Sequence, residues 1–199
     1  MKIACDFQCR RCVLNNKVSI GLLFLLMLQS YQAWSFAEPC QLVAQMAGDK
    51  GEYKQQPLRI ASMTTPNKMP IKWSLSLIEN HGAWYVYQTP TTWFNKESCA
   101  PIKRSIATDN TLIEFMPVLL NTRTGHNAVI TGTFIIKTYR KSDLKKVMQH
   151  YHFKGLSPLP NPQSMIVDVK PTDSYDLLIE TLDRDNDVIL ALPLLSEPR

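Results

Sequence analysis

Five cysteines, four histidines and a C-terminal set of carboxylates are the side chains best suited to chemistry in this 199-residue chain. Cys5, Cys9 and Cys12 crowd into CDFQCRRC and have the look of a thiolate metal knot. Cys40 and Cys99 stand far apart. The histidines are His81, His126, His150 and His152. His150 and His152 are two apart at the end of a helical pattern, whereas neighbours on one helix face are three or four apart, so the pair is poorly placed to chelate. Asp183, Asp185 and Asp187 alternate around Arg184 and Asn186 like the start of a calcium loop. The spaced glycine and the later bidentate glutamate of such a loop are missing. After residue 37 there is no G-x-S-x-G, H-E-x-x-H, P-loop or C-x-x-C. The expectation is a non-enzyme with no metal and no cofactor.

The first 37 residues set the context. Lys2, Arg10, Arg11 and Lys17 face one acid, Asp6, ahead of an uncharged apolar run from Val18 to Gln29. Ser35-Phe36-Ala37 then offers a small-x-small site. This is the grammar of a signal peptide cleaved after Ala37. The apolar run falls short of the ~20 residues of a spanning helix, so no membrane association is expected after cleavage. The predicted location is periplasmic or secreted. Cleavage removes Cys5, Cys9 and Cys12 and leaves Cys40 and Cys99, which in an oxidising compartment predict one disulfide. Loss of four basic residues and one acid takes the net charge from +5 to +2. No Lys/Arg stripe stands out, so a nucleic-acid partner gains no support.

The elements that position these residues fall into an α+β plan. Residues 38–56 are polar and predict an extended or loosely helical N-terminal arm. Residues 57–127 read as a β-rich part. LRIASM, IKWSLSLI, AWYVYQ, RSIAT and TLIEFMPVLL are short β-branched and aromatic runs, and Lys72 to Leu77 alternates cleanly. His81-Gly82, Thr108-Asp109-Asn110 and Asn121 to Gly125 supply turns. The aromatics Trp73, Trp84, Tyr85, Tyr87, Trp93 and Phe94 fit either packing or a peptide- or glycan-binding face.

From Ala128 the pattern alternates strand and helix. AVITGTFIIKTY predicts a long strand in which Gly132 marks a bulge or bend. Ser142 can cap a helix with the stripe Leu144, Val147, Met148 and Tyr151. Strands follow near Phe153–Leu156 and at Met165–Val169. Thr172 or Asp173 can cap a second helix with the stripe Tyr175, Leu178, Ile179 and Leu182, on which Glu180 and Arg184 pair. Val188 to Leu192 predicts a last buried strand. Residues 128–193 therefore read as a ferredoxin-like βαββαβ sandwich, with helices on one sheet face and the other left bare. A bare apolar face points to a partner. Residues 194–199 are left as a C-terminal tail.

Four stretches, TFIIKTYRKSDLKKVMQHYHFKGL, SMIVDVKP, TDSYDLLIETLDRDNDVI and ILALPLL, resemble the propeptide modules of subtilisin-family proteases. With the upstream PVLLNTRTGHNAVITGTFIIK, the chain is similar to external chaperones of secreted subtilisin-like serine proteases. The resemblance implies a chaperone and inhibitor acting in trans on such a protease. It implies docking by the sheet face, with Ala191 and Pro193 aiming the tail into the substrate cleft. Leu194, Leu195, Ser196, Glu197, Pro198 and Arg199 would form that tail, with Arg199 suited to an acidic pocket. The alternative is a periplasmic peptide- or glycan-binding or envelope-assembly module with no protease partner.

Overall fold

The computed structural model describes residues 38–199 except 50–51, 95–98, 107–109, 171 and 199. The expected signal peptide, including Ala37, lies outside the described residues, as does Arg199. Among the described residues no helix is long and apolar enough to cross a membrane.

Nine strands and three short helices make up the described chain. In chain order they are α1 (Gln41–Ala47), β1 (Tyr53–Ser62), β2 (Ser76–His81), β3 (Trp84–Gln88), β4 (Ile102–Ser105), β5 (Leu112–Asn121), β6 (Asn127–Thr138), α2 (Lys141–His150), β7 (Lys154–Pro158), β8 (Ser164–Asp168), α3 (Tyr175–Asp183) and β9 (Val188–Ser196). The strands form one sheet in the order β2-β3-β1-β5-β6-β8-β7, with β4 on β5 and β9 on β6. Every pairing is antiparallel.

This corrects the expectation of a β-rich part followed by a ferredoxin-like sandwich. The strand–helix alternation after residue 127 exists, but it does not close into a module of its own. The reason lies in β6. Its first residues pair with β5, its later residues pair with β8, and β9 runs along its other edge. A 12-residue strand has room for all three partners, and so it joins the two halves. One hydrophobic core accordingly contains Ala61 and Val86 from the first half and Phe134, Val167 and Leu182 from the second.

Local chemistry explains the irregular points. Pro57 lies within the register break of β1 against β5, where a residue without an N–H costs no ladder bond. Gly132 has φ +73, and β6 slips against β9 between Ile130 and Thr133. A Cβ at Gly132 would fall 2.7 Å from the Tyr175 hydroxyl, so both the backbone angle and the packing demand glycine. Helix α3 is capped by Ser174, whose Oγ accepts from the Leu177 amide, rather than by Thr172 or Asp173. Residue 140, not Ser142, occupies the N-cap of α2.

Two further expectations are refined. Residues 38–56, expected as an extended or loosely helical arm, do contain a helix, but it is packed into the fold. Helix α1 buries Val43 and packs on β1, β9 and α3, and β1 already begins at Tyr53. Lys72 to Leu77 is not one strand. Ile71–Trp73 is a 3-10 turn, Ser74 takes left-handed angles, and β2 starts at Ser76. Trp73 is drawn out of strand geometry by an aromatic cluster with Trp93 and Phe115.

Candidate functional site: an uncovered sheet face and a docked C-terminus

Strands β8, β6 and β9 lie side by side, and their alternation divides the sheet into two unlike faces. On one, Phe134, Ile136, Val167 and Ala191 are buried beneath Leu144 and Val147 of α2 and Tyr175, Ile179 and Leu182 of α3. On the other, Ile135 sits opposite Ile166 on β8 and Leu192 on β9, so three branched side chains form one row across the strands. All three are only half-buried. Thr133 with Asp168 and Leu194 makes the row on one side, and Lys137 beside the exposed Leu190 flanks the other. The face thus has an apolar centre with charge at two corners.

The C-terminal residues are placed differently from the expected tail. Leu194, Leu195 and Ser196 continue β9 and pair with Thr133, Ile130 and Val129. The Thr131 hydroxyl donates to the Leu194 carbonyl at 2.8 Å. His81, buried at the end of β2, places Nε2 3.1 Å from the Ser196 carbonyl. Glu197 accepts from the Tyr53 hydroxyl at 2.5 Å and from the Asn121 amide at 3.3 Å. Burial, and then the Glu197 carboxylate, hold the Tyr53 hydroxyl well above its ordinary pKa, so it stays a donor. Only Pro198 among the described residues lies beyond these contacts. Ala191 and Pro193 both sit buried on the helix side of β9. Residues 194–197 are therefore not free. The physical reason is that β9 is an edge strand, where a proline is tolerated and pairing continues past it.

The other titratable residues have structural work. Glu79 accepts from both the backbone and the side-chain nitrogen of Asn127 and lies 3.5 Å from His126 Nδ1 and 3.9 Å from His81 Nδ1, strapping β2 to the start of β6. His150 lies edge-on to Tyr151. Asp185 accepts from the Tyr151 hydroxyl and from the Asp187 amide, which shapes a turn. Burial raises the Tyr151 hydroxyl to about 12, with the Asp185 hydrogen bond as the next cause. Glu180 and Arg184 stand 3.7 Å apart on the wet face of α3. Among the described residues no group of three His, Cys, Asp or Glu side chains is placed to hold a metal ion.

The aromatic residues of the first half form a second core. Trp73, Trp93 and Phe115 meet edge to face with centroids 5.2–5.8 Å apart. Tyr87 and Phe94 are buried in the same cluster, and Trp84 is buried in the main core. The Arg104 guanidinium lies 3.7 Å over the Trp93 ring. Edge-to-face packing occupies the ring surfaces that a sugar or peptide would need. The Tyr53–Glu197–Asn121 clasp was not visible in the sequence, because its members are 68 or more residues apart.

No family model, curated protein or solved structure matches the chain.

Proposed function

We propose that the protein is a secreted, non-enzymatic chaperone and inhibitor of a subtilisin-like serine protease, docking through the β8–β6–β9 face. The observation that supports this is the row Leu192–Ile135–Ile166, apolar, partly exposed and in register across three strands. The stretches that resemble subtilisin-family propeptides supply those three strands. A rigid sheet presenting such a patch can bind a folded surface without first ordering a loop, which keeps the entropic cost of association low. Binding only the native-like protease would also stabilise it by mass action, so inhibition and chaperoning follow from one surface. The cleft-binding role expected for Leu194 to Glu197 needs their release from β6, Tyr53 and Asn121, so the sheet face rather than the tail leads the proposal. The envelope-module alternative would use the aromatic first half, where Trp73, Trp93 and Phe115 pack edge to face.

The test is inhibition of a subtilisin-like protease by the purified protein, followed with a small chromogenic substrate. The variant Ile135→Glu/Leu192→Glu places two carboxylates in the centre of the face. It should weaken inhibition by about a hundredfold, the size of losing ~3 kcal/mol from a buried anchor. Its unfolding midpoint should stay near that of the wild type. Equal inhibition by the variant, or none by the wild type at micromolar concentration, would remove the proposal.

A further inference from the structure

On the opposite side of the sheet, α2 and the β7–β8 connection enclose an open groove of about 480 Å³. We propose that this groove binds a single-chain anionic amphiphile, a long-chain carboxylate with its chain in the groove and its headgroup at Lys141 and Lys145. Its volume falls within the range of small-molecule sites, roughly 300–1,000 Å³.

The chemistry of the walls selects the chain. One wall is Leu144 and Met148 of α2, and the floor is Met165 of β8. The other wall is Pro158-Leu159-Pro160 with Pro162. Three prolines have no N–H to offer. A peptide backbone laid against them would lose its water partners and find few donors in return, at a cost for each unpaired group. An alkyl chain has no such groups to lose. Methionine side chains adapt to irregular apolar guests. Gly155 lies behind the floor. A Cβ there would fall 2.9 Å from the Met165 sulfur, so its absence lets Met165 lie back against the strand.

The rim selects the headgroup. Lys141 and Lys145 are exposed, four residues apart on one face of α2, and both border the groove. Neither has a carboxylate within ion-pair distance among the described residues, whereas the neighbouring Lys146 is engaged by Asp143 at 3.1 Å. The first turn of α2 begins at Lys141, so the helix dipole adds positive potential at the same place. An apolar slot with two uncompensated cations at its mouth is complementary to a carboxylate on a chain.

The test is calorimetric titration of the purified protein with dodecanoate below its micelle concentration. Saturable binding is expected for dodecanoate and not for acetate. The surface variant Lys141→Glu/Lys145→Glu should bind dodecanoate at least about tenfold more weakly and gain affinity for dodecyltrimethylammonium. Absence of dodecanoate binding, equal binding by both proteins, or equal wild-type affinity for the cationic amphiphile would overturn the proposal. So would binding to anionic phospholipid vesicles with none to monomeric dodecanoate, which would assign the patch to a membrane surface. The groove lies across the sheet from the protease-facing rows, so neither result depends on protease inhibition.

Discussion

Removing the Cys40–Cys99 bond tests whether the N-terminal helix is a structural part of the fold or an appendage. The two cysteines are bonded, and each is 1 % exposed within the main core. The bond spans a sequence separation of 59. Loop-closure entropy for about 60 residues is roughly 14 cal/mol/K, or about 4 kcal/mol at 25 °C. Two local features add to the dependence. Helix α1 has seven residues, below the ~12–15 at which an isolated helix becomes even marginally stable. Cys40 holds left-handed angles, φ 64 and ψ 16, which cost a non-glycine residue on the order of 1 kcal/mol and persist only under restraint. A single domain has only about 5–15 kcal/mol in total, so the bond carries a large share. Cys40→Ala/Cys99→Ala should therefore lower stability by about 4 kcal/mol. With m near 2 kcal/mol/M in urea, the midpoint falls by about 2 M, read from tryptophan fluorescence. Reduced wild-type protein should fall by a similar amount, which separates loss of the crosslink from loss of the sulfur atoms. A drop of less than about 0.5 M in both would refute the reasoning, because the unfolded chain would then be no freer without the bond.

Two other outcomes follow from single contacts. Tyr53→Phe removes the donor to Glu197 and should cost about 1.5 kcal/mol, the scale of a hydrogen bond to a charged group, with amide exchange at Leu194–Ser196 accelerating about tenfold; unchanged exchange would mean the clasp does not hold the strand. Asp176 accepts from the Val43 amide at the start of α1, and burial raises its pKa against the pull of the backbone hydrogen bonds from Cys40 to Val43. The folded state then holds its proton more tightly than the unfolded chain, so its contribution to stability falls as pH rises from 3.8 through the folded value. Asp176→Asn keeps the acceptor oxygen and should abolish that fall. The melting temperature of the wild type minus that of the variant should therefore decline with rising pH, and a difference that grows with pH would contradict the assignment.

The long elements were legible because their patterns are local. The apolar, β-branched runs of β5 and β6 and the helical stripes of α2 and α3 each declare themselves within a dozen residues. The disulfide was legible because Cys40 and Cys99 are the two cysteines that lie beyond the expected signal peptide. What escaped depends on partners distant in sequence. Trp73 alternates correctly with its neighbours, yet Trp93 and Phe115 take it into an aromatic cluster and leave Ile71 almost wholly exposed. Helix α1, at seven residues, is too short to show a stripe, and it forms because Cys99 and Asp176 hold its start.

Pro193 shows why the end of the chain was misplaced, and the consequence reaches function. Read as a breaker, it ends a strand at Leu192 and frees everything after it. In the sheet it stands opposite Phe134 on β9, whose other edge has no strand partner, so its missing N–H deprives no ladder. Pairing therefore continues to Ser196, and the same stretch that looked free for a protease cleft is held by the sheet and by the Glu197 clasp. Side chains on β9 then divide by parity. Ala191, Pro193 and Leu195 face the helices, while Leu190, Leu192 and Leu194 face the uncovered side. Alternation thus lets this strand close the core with one set of residues and leave an apolar row uncovered with the other, the row that the proposed docking would use. A substitution on the odd-numbered set should act through stability, and one on the even-numbered set through binding.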